Sequence, residues 1–288
     1  MTEKWMEIRK GADFNKIGEQ FSIDPVVARI IRNRDVVGMD EIETYLYGDA
    51  KKLYDPRLMH DMQKAVSIIS KKIKGGASIR IIGDYDIDGI NATYILLKAL
   101  RNLGAKVSAA IPDRQKDGYG INENLIRGAK EDGVDTILTC DNGIAAISAI
   151  AYAKAEGMTV VVTDHHDIPF EETADGRHYL KSNADAIVNP HQAECPYPYK
   201  ELCGAAVAWK FVQALYEENQ VDKASADEFL ENAAFATIGD VMDLTGENRL
   251  IVRLGLERLR HTKNPGMRAL IFQNNLAMDQ IKSYHIGF

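Results

Sequence analysis

An alternation of short β-branched runs and longer helix-like segments extends from residue 79 to about residue 190. The strand-like runs occupy residues 78–82, 106–111, 135–139, 158–163 and 184–188, and the helix-like segments residues 92–103, 122–131 and 145–156. Gly104, Gly133 and Gly157 each stand between a helical segment and a strand, where glycine often ends a helix. This alternation predicts an α/β fold, with a mostly parallel sheet flanked by helices.

The two ends of the chain have a different pattern. Residues 1–60 consist of helical pieces with breaks at Pro25, Gly38, Gly48 and Pro56, which predicts an appended helical N-terminal segment. Further helices are expected at residues 205–217, 224–238 and 250–260. The polar stretch from Asp164 to Ser182 is expected to be a mobile loop.

Composition narrows the class of protein. With 288 residues, of which 45% are hydrophobic and 27% charged, the chain can bury a full core. It has no run of ~20 apolar residues and no apolar signal-peptide core, which predicts a cytoplasmic protein. Cys140, Cys195 and Cys203 form no C-x-x-C pair and are expected to be reduced, buried thiols. The net charge of −7 argues against a general basic nucleic-acid surface, although bound divalent ions would offset clustered carboxylates.

The heptapeptide GDYDIDG at residues 83–89 is compatible with two kinds of metal site. An EF-hand calcium loop would need a glutamate at its twelfth position, which is Ile95 when counting starts at Asp84. An EF-hand loop also follows a helix, whereas residues 78–82 are a predicted strand. The aspartates are therefore expected at the carboxyl end of a strand, where open α/β sheets bind their ligands.

Metal-ligating residues follow other predicted elements as well. They are Asp141 after the third strand, Asp164, His165 and His166 after the fourth, and Asp240 after a long helix. Each group alone is typical of a turn, a helix cap or a surface histidine. However, consecutive parallel strands end at one edge of a sheet, so these groups should converge there. No G-x-G-x-x-G or P-loop sequence competes with a metal site.

The types of ligand indicate the metal. Carboxylates and imidazole without thiolate suit Mn²⁺ or Mg²⁺ better than structural zinc. Four or more aspartates would over-supply one ion, whereas two ions could share a bridging carboxylate and activate a water between them.

Seven motifs together carry a family resemblance. They are, in chain order, GDYDIDG, IPDRQKDGYG, CDNG, VTDHH, IVNP, LCGAAVAWK and IGDVMDL. This series resembles the DHH phosphoesterase superfamily, and most closely its RecJ branch of single-strand-specific 5′ to 3′ exonucleases. The likeness runs from about Leu53 to about Leu244. Pyrophosphatases and short-oligonucleotide phosphodiesterases of the superfamily usually carry histidine and proline in the first motif, where this chain has three aspartates.

The resemblance also implies a domain organisation. Residues 61–288 would form the DHH catalytic domain. A second, DHH-associated domain and an oligonucleotide-binding fold would be expected to follow, so the chain is expected to be the catalytic part of a longer protein.

The resemblance implies roles for the ligand residues. Asp86 and Asp141 would hold one ion, and the other would be held by Asp88, Asp141, His165 and Asp240. Asp84 would be a further ligand or an outer-shell base. His166 would contact phosphate or polarise the leaving oxygen, or else would orient His165.

Four residues are candidates for substrate binding. Arg114 would clamp phosphate through its guanidinium, or would pair with Asp113 or Asp117. Asn189 would hydrogen-bond the site or order a turn. The backbone N–H groups of Gly204 and Ala205 would bind substrate phosphate at a helix start, or the small residues would serve close packing.

The expected function is a metal-dependent phosphodiesterase that degrades single-stranded DNA from its 5′ end in repair or recombination. The alternatives are a short-oligonucleotide or cyclic-dinucleotide phosphodiesterase and a noncatalytic DHH interaction module. Since every expected metal position is occupied, the enzyme is favoured. The sequence identifies no partner protein.

Overall fold

A five-stranded parallel sheet lies at the centre of the computed structural model, which describes residues 10–115, 118–173 and 176–287. The strands are β1 (Ser78–Ile82), β2 (Lys106–Ala110), β3 (Thr136–Cys140), β4 (Thr159–Thr163), β5 (Phe170–Thr173), β6 (Gly176–Tyr179) and β7 (Ala186–Val188). The large sheet has the order β2-β1-β3-β4-β7 and every pair in it is parallel. The prediction of a parallel α/β sheet is confirmed.

Twelve α-helices are described around the sheet. They are α1 (Phe14–Phe21), α2 (Pro25–Asn33), α3 (Met39–Tyr47), α4 (Met62–Lys74), α5 (Ile87–Asn102), α6 (Glu123–Glu131), α7 (Ile147–Ala155), α8 (Gly204–Glu218), α9 (Leu230–Gly239), α10 (Gly246–Leu259), α11 (Pro265–Gln273) and α12 (Tyr284–Gly287). Short 3-10 helices occupy Ala50–Lys52, Pro56–Leu58, Lys223–Phe229 and Met278–Gln280. Gly104, Gly133 and Gly157 have φ of 76°, 69° and 76°, as expected for glycines that end helices.

Both faces of the sheet are covered. Ile81 and Leu138 belong to the core that includes helices α4, α5, α8, α9 and α10. Ile82 and Ile137 point into a second core, which helices α6 and α7 complete. Burying each of these branched side chains contributes roughly 1.5–3 kcal/mol. The molecule therefore has the helix–sheet–helix layers that the alternating sequence predicts.

The N-terminal helices form a small cluster of their own. Its buried side chains are Ile17, Phe21, Ala28, Ile31, Val36 and Ile42. Arg249 of helix α10 links this cluster to the rest of the fold, since its Nε donates to the Tyr45 carbonyl at 2.7 Å and its guanidinium lies 3.6 Å from the centroid of the Tyr45 ring. The helical character of residues 14–47 agrees with the prediction.

A buried ion pair joins the segment before α4 to two helices. The Lys210 Nζ lies 2.7 Å from the Glu247 Oε1, and both side chains are 0% exposed. Lys210 also donates to the Tyr54 carbonyl, and the Tyr197 hydroxyl donates to Glu247. Burial lowers the pKa of Lys210, although the Glu247 charge opposes that effect. Each charge thus has hydrogen-bonding partners.

Some local predictions were wrong. Helix α5 begins at Ile87 rather than residue 92, which places Asp88 in its first turn. Residues 170–173 and 176–179 pair as two antiparallel strands within the stretch that was expected to be a mobile loop. On this hairpin the Arg177 guanidinium lies 4.3 Å from the centroid of the Phe170 ring. Residues 223–229 are a 3-10 helix instead of part of an α-helix.

The cysteine prediction is confirmed, because Cys140, Cys195 and Cys203 are buried and free. No helix among the described residues has the length and hydrophobicity needed to span a membrane.

Candidate metal centre

The candidate site lies at the carboxyl edge of the sheet, where the strand order reverses. The chain passes from β1 to β2 on one side and then returns to β3 on the other side of β1. Asp84 follows β1 and Asp141 follows β3, so both aspartates flank the reversal point. Open α/β sheets bind ligands at such a point. The predicted convergence of the strand ends therefore occurs in the structure.

The first motif is a strand-to-helix turn in which the aspartates take different positions. The Asp86 Oδ1 caps helix α5 by accepting from the N–H groups of Asp88 and Gly89 at 3.0 and 2.9 Å. A Cβ at Gly89 would lie 2.5 Å from the Asp84 carbonyl oxygen, so the close turn requires glycine. Asp86 is consequently exposed, whereas Asp84 and Asp88 point into the protein.

Helix α8 begins directly against Asp88. The N–H of Gly204 donates to the Asp88 Oδ2 at 2.6 Å, and the N–H of Ala205 donates to the Oδ1 at 2.7 Å. These contacts correct the prediction that the Gly204 and Ala205 amides bind substrate phosphate. A helix N-terminus stabilises any anion, and here the anion is a carboxylate of the protein itself.

Asp141 and Asp84 carry buried carboxylates that lack good hydrogen bonds. Both side chains are buried, and none of their four oxygens accepts a hydrogen bond of good geometry from the described residues. Burial, with the charges of Asp88 and Asp86, raises the pKa of Asp141 to about 12. Burial and the Asp86 charge also raise the pKa of Asp84. Buried carboxylates without partners are costly, so this arrangement calls for cations.

Backbone geometry fixes Asp141 against helix α8. Asp141 has a left-handed φ of 59°, which is uncommon for a residue with a side chain. A Cβ added to Gly204 would lie 2.7 Å from both the Cβ and the Oδ1 of Asp141. Glycine at position 204 therefore lets the helix start approach the carboxylate.

The fourth strand delivers two histidines and a buried aspartate. The His165 Nε2 lies 3.1 Å from the Asp141 Oδ1 and 3.5 Å from the Asp88 Oδ2. The Asp164 Oδ1 lies 2.7 Å from the His166 Nδ1, and its Oδ2 accepts from the Ile144 N–H at 2.8 Å. Asp164 thereby orients His166, a role that sequence analysis did not assign to it.

The same contact shifts both ionisation equilibria. The hydrogen bond with Asp164 raises the pKa of His166. Although burial alone would raise the pKa of Asp164, the hydrogen bond and charge of His166 lower it below its ordinary value. For His165 burial is the largest cause, and it lowers the pKa. A neutral His165 is the form that can coordinate a metal.

Asp240 closes the site from the end of helix α9. Burial, followed by the charges of Asp88 and Asp86, raises the pKa of Asp240 to about 6. The next residue, Val241, has a left-handed φ of 58° and is 87% exposed. Its N–H donates to the Ile238 carbonyl and so ends the helix at Asp240.

Three groups of side chains have ligand atoms within 4.8 Å of one another. They are Asp84, Asp86 and Asp141; Asp88, His165 and Asp240; and Asp141, His165 and His166. Asp141 and His165 each belong to two groups. All five expected metal ligands therefore converge, and Asp84 lies with Asp86 and Asp141.

Two other predicted residues lie beside this cluster. Arg114 is exposed on the segment after β2, with its guanidinium 5.4 Å from the centroid of the Tyr85 ring. Asp117, one of the two aspartates that Arg114 was expected to pair with as an alternative, lies outside the described residues. Asn189 is buried, donates to the His166 carbonyl at 2.9 Å and accepts from the His191 N–H at 2.7 Å. One end of the Asn189 amide therefore bonds the histidine loop of the site, and the other end orders the turn that contains Pro190.

A family model agrees with this architecture. The model of the DHH family, N-terminal domain, matches residues 78–237. This range includes β1, the two histidines and most of α9, and ends three residues before Asp240.

Individual relatives are similar over most of the chain. The single-stranded-DNA-specific exonuclease RecJ of Bacillus subtilis (strain 168) is 40% identical over 94% of this chain and 32% of its own length. The match to a manganese-bound exonuclease RecJ structure covers 80% of this chain and 55% of the RecJ chain, with a TM-score of 0.69 and 29% identity. The Mn²⁺ complex of RecJ from Thermus thermophilus covers 96% of this chain and 37% of its own, with a TM-score of 0.72 and 25% identity. The chain spans 31% to 47% of the length of the curated relatives it matches.

Proposed function

Because the chain belongs to the DHH family, we propose that it is a metal-dependent phosphodiesterase that removes nucleotides from the 5′ end of single-stranded DNA. The observation that carries this proposal is the pair of buried carboxylates at the sheet reversal point, Asp84 and Asp141, whose oxygens accept no hydrogen bond of good geometry from the described residues. Imidazole and further carboxylates surround them.

The donor set fits two divalent ions, Mn²⁺ or Mg²⁺. Asp84, Asp86 and Asp141 would hold one, and Asp88, Asp141, His165 and Asp240 the other. Oxygen-rich sites with few imidazoles and no thiolate suit these ions. When bound, the two ions would lower the pKa of a water and stabilise the charge on the phosphoryl oxygens.

The protein's own residues would position the ligands and the substrate. The Gly204 and Ala205 N–H groups fix the Asp88 carboxylate. Asp164 fixes His166, whose imidazole would contact the phosphate or the leaving oxygen. Arg114, held against Tyr85, would bind phosphate oxygens bidentately.

The nature of the substrate rests on the relatives. The curated relatives are named as single-stranded-DNA-specific exonucleases, which supports single-stranded DNA over a dinucleotide or pyrophosphate. The 5′ polarity and the role in repair or recombination rest on the motif resemblance.

The domain organisation and the cellular location are also part of the proposal. Residues 61–288 would be the catalytic domain and residues 1–60 an appended helical segment, which the separate hydrophobic cluster of helices α1–α3 supports. Three free cysteines support a cytoplasmic location.

A cleavage assay tests the proposal. With Mn²⁺ present, mononucleotides should be released from a 5′-phosphorylated single strand faster than phosphate from pyrophosphate or monomers from a dinucleotide. Asp141→Ala should abolish this release, whereas Asp40→Ala, at an exposed position of helix α3, should leave it unchanged. Undiminished cleavage by Asp141→Ala, or preference for the dinucleotide, would contradict the proposed function.

A further inference from the structure

Tyr119 stands in a turn between two glycines, one of which packs against Asn142. Gly118 and Gly120 have left-handed φ values of 77° and 67°, which non-glycine residues rarely adopt. A Cβ at Gly120 would lie 3.0 Å from the Asn142 Cβ, and the Ile121 N–H donates to the Asn142 Oδ1 at 3.1 Å. The turn is therefore held against the segment that follows β3, next to Asp141.

The Tyr119 hydroxyl lies between two polar groups of the metal centre. Its oxygen is 2.9 Å from the His166 Nε2 and 3.1 Å from the Asp141 carbonyl oxygen. The Tyr119 ring packs edge-on against the rings of His166 and Tyr85, with centroids 5.7 and 6.4 Å apart. Tyr119 is 51% exposed, so this contact borders the open side of the site.

The number of available protons limits how Tyr119, His166 and the Asp141 carbonyl can pair. The Asp164 carboxylate accepts from the Nδ1–H of His166, so both imidazole nitrogens face a hydrogen-bonding group. If the His166 Nε2 has no proton, the Tyr119 hydroxyl can donate to it. If the Nε2 has a proton, the phenol oxygen can accept it and the hydroxyl can donate to the Asp141 carbonyl, which only accepts. Tyr119 thus keeps a hydrogen bond with the imidazole in either state, and its single proton reaches the Asp141 carbonyl only when the Nε2 is protonated.

We propose that Tyr119 is a positioning residue for His166, which it holds from the Nε2 side while Asp164 holds the Nδ1 side. This inference rests on the proposed function for its catalytic consequence. In that reaction a protonated Nε2 would share its hydrogen between the Tyr119 oxygen and the phosphate, so Tyr119 would still hold the ring in the transition state while its hydroxyl donates to the Asp141 carbonyl. The ring would reach the substrate already oriented, which lowers the cost of forming the transition state.

A spectroscopic experiment tests the contact without any activity. The imidazole ¹⁵N signals of His166, assigned by their loss in His166→Asn, are recorded in the metal-free wild type, in Tyr119→Phe and in the control Tyr152→Phe. Tyr119→Phe should shift the Nε2 signal and keep the Nδ1–H bonded to Asp164, whereas Tyr152→Phe should change neither. An unchanged Nε2 signal in Tyr119→Phe would overturn the proposal.

Kinetics tests the consequence for the reaction. With Mn²⁺ and a single strand, Tyr119→Phe should lower kcat about tenfold with little change in KM, as expected when one orienting hydrogen bond is lost. A kcat equal to that of wild type would refute the positioning role. If the wild type itself cleaves nothing, the proposed function fails, and the ¹⁵N spectra still decide whether Tyr119 holds His166. Unfolding curves show whether each variant is folded.

Discussion

The substitution Gly204→Ala tests the packing of helix α8 on the metal centre. Alanine suits a helix better than glycine, so local propensity alone would make this change stabilising. The added Cβ would, however, lie 2.7 Å from the Cβ and Oδ1 of Asp141 and 2.9 Å from its Cγ. Carbon atoms in van der Waals contact are about 3.5–4.0 Å apart, so Asp141 or the helix start must move by about 1 Å.

The size of the effect follows from that displacement. Overpacking of this kind costs typically about 1–3 kcal/mol. The metal-free protein can relieve it by moving Asp141 away, but metal binding would require the carboxylate to return. Binding is therefore weakened by most of the strain energy, about 2 kcal/mol, which corresponds to roughly 30-fold in affinity. In other metal sites, mutation of the residues that orient the ligands lowers metal affinity by about 10–100-fold.

The assay is calorimetric titration of Mn²⁺ into wild type, Gly204→Ala and a matched control. Gly128→Ala in helix α6 is that control, because a Cβ at Gly128 would meet nothing within 4 Å. It should leave Mn²⁺ affinity unchanged and increase the free energy of unfolding by about 0.5–1 kcal/mol. If Gly204→Ala binds Mn²⁺ within twofold of wild type, the reasoning about the Gly204–Asp141 approach is refuted.

Three further predictions concern stability, each measured by urea unfolding. Val241→Gly should stabilise the metal-free protein by about 1 kcal/mol, because it removes a left-handed valine whose side chain is exposed; equal or lower stability would contradict this. Lys210→Met should lower the free energy of unfolding by about 3–5 kcal/mol, because it leaves Glu247 buried without its cation. The double variant Lys210→Met with Glu247→Gln should lose less stability, and an equal or larger loss would contradict the reasoning. Because the folded-state pKa of Asp240 is about 6 against an ordinary 3.8, the folded metal-free protein binds this proton more tightly than the unfolded chain. The stability gained from this tighter proton binding is fully present below about pH 4 and is lost as the pH rises to 6. Asp240→Asn should therefore flatten the fall of the unfolding free energy over that range. An unchanged slope would contradict this prediction.

Sequence reasoning could reach the convergence of the ligands because it depends on topology alone. Runs such as Ile79–Ile82 and Val160–Val162 are typical of buried parallel strands, and parallel strands end at one edge. Placing Asp84, Asp141 and His165 together required no knowledge of loop geometry.

The partners of individual polar groups could not be predicted in the same way. A helix N-terminus accepts phosphate or carboxylate equally well, so nothing local shows that the Gly204 and Ala205 amides bind Asp88. Asp164 stands next to the histidines in the sequence, but only the folded loop shows that it accepts from His166 and from Ile144. The pairings of Asp88 with helix α8 and of Asp164 with Ile144 are set by tertiary contacts between elements distant along the chain.

The β5–β6 hairpin was missed for a different reason. All eight residues of its two described strands are exposed, so neither strand shows the alternation of apolar and polar residues that marks a half-buried strand. The left-handed φ of 115° at Gly176 fits a turn residue, and glycine between polar residues is equally common in irregular loops.

Diffraction from Mn²⁺-soaked crystals at the manganese absorption edge tests the central claim most directly, because it locates the ions without reference to activity. The account predicts two anomalous peaks about 3.5–4 Å apart, with Asp141 contacting both. One peak should lie beside Asp84 and Asp86, and the other beside Asp88, His165 and Asp240. A single peak, or peaks that do not contact Asp141, would contradict a two-metal centre at the reversal point of the sheet.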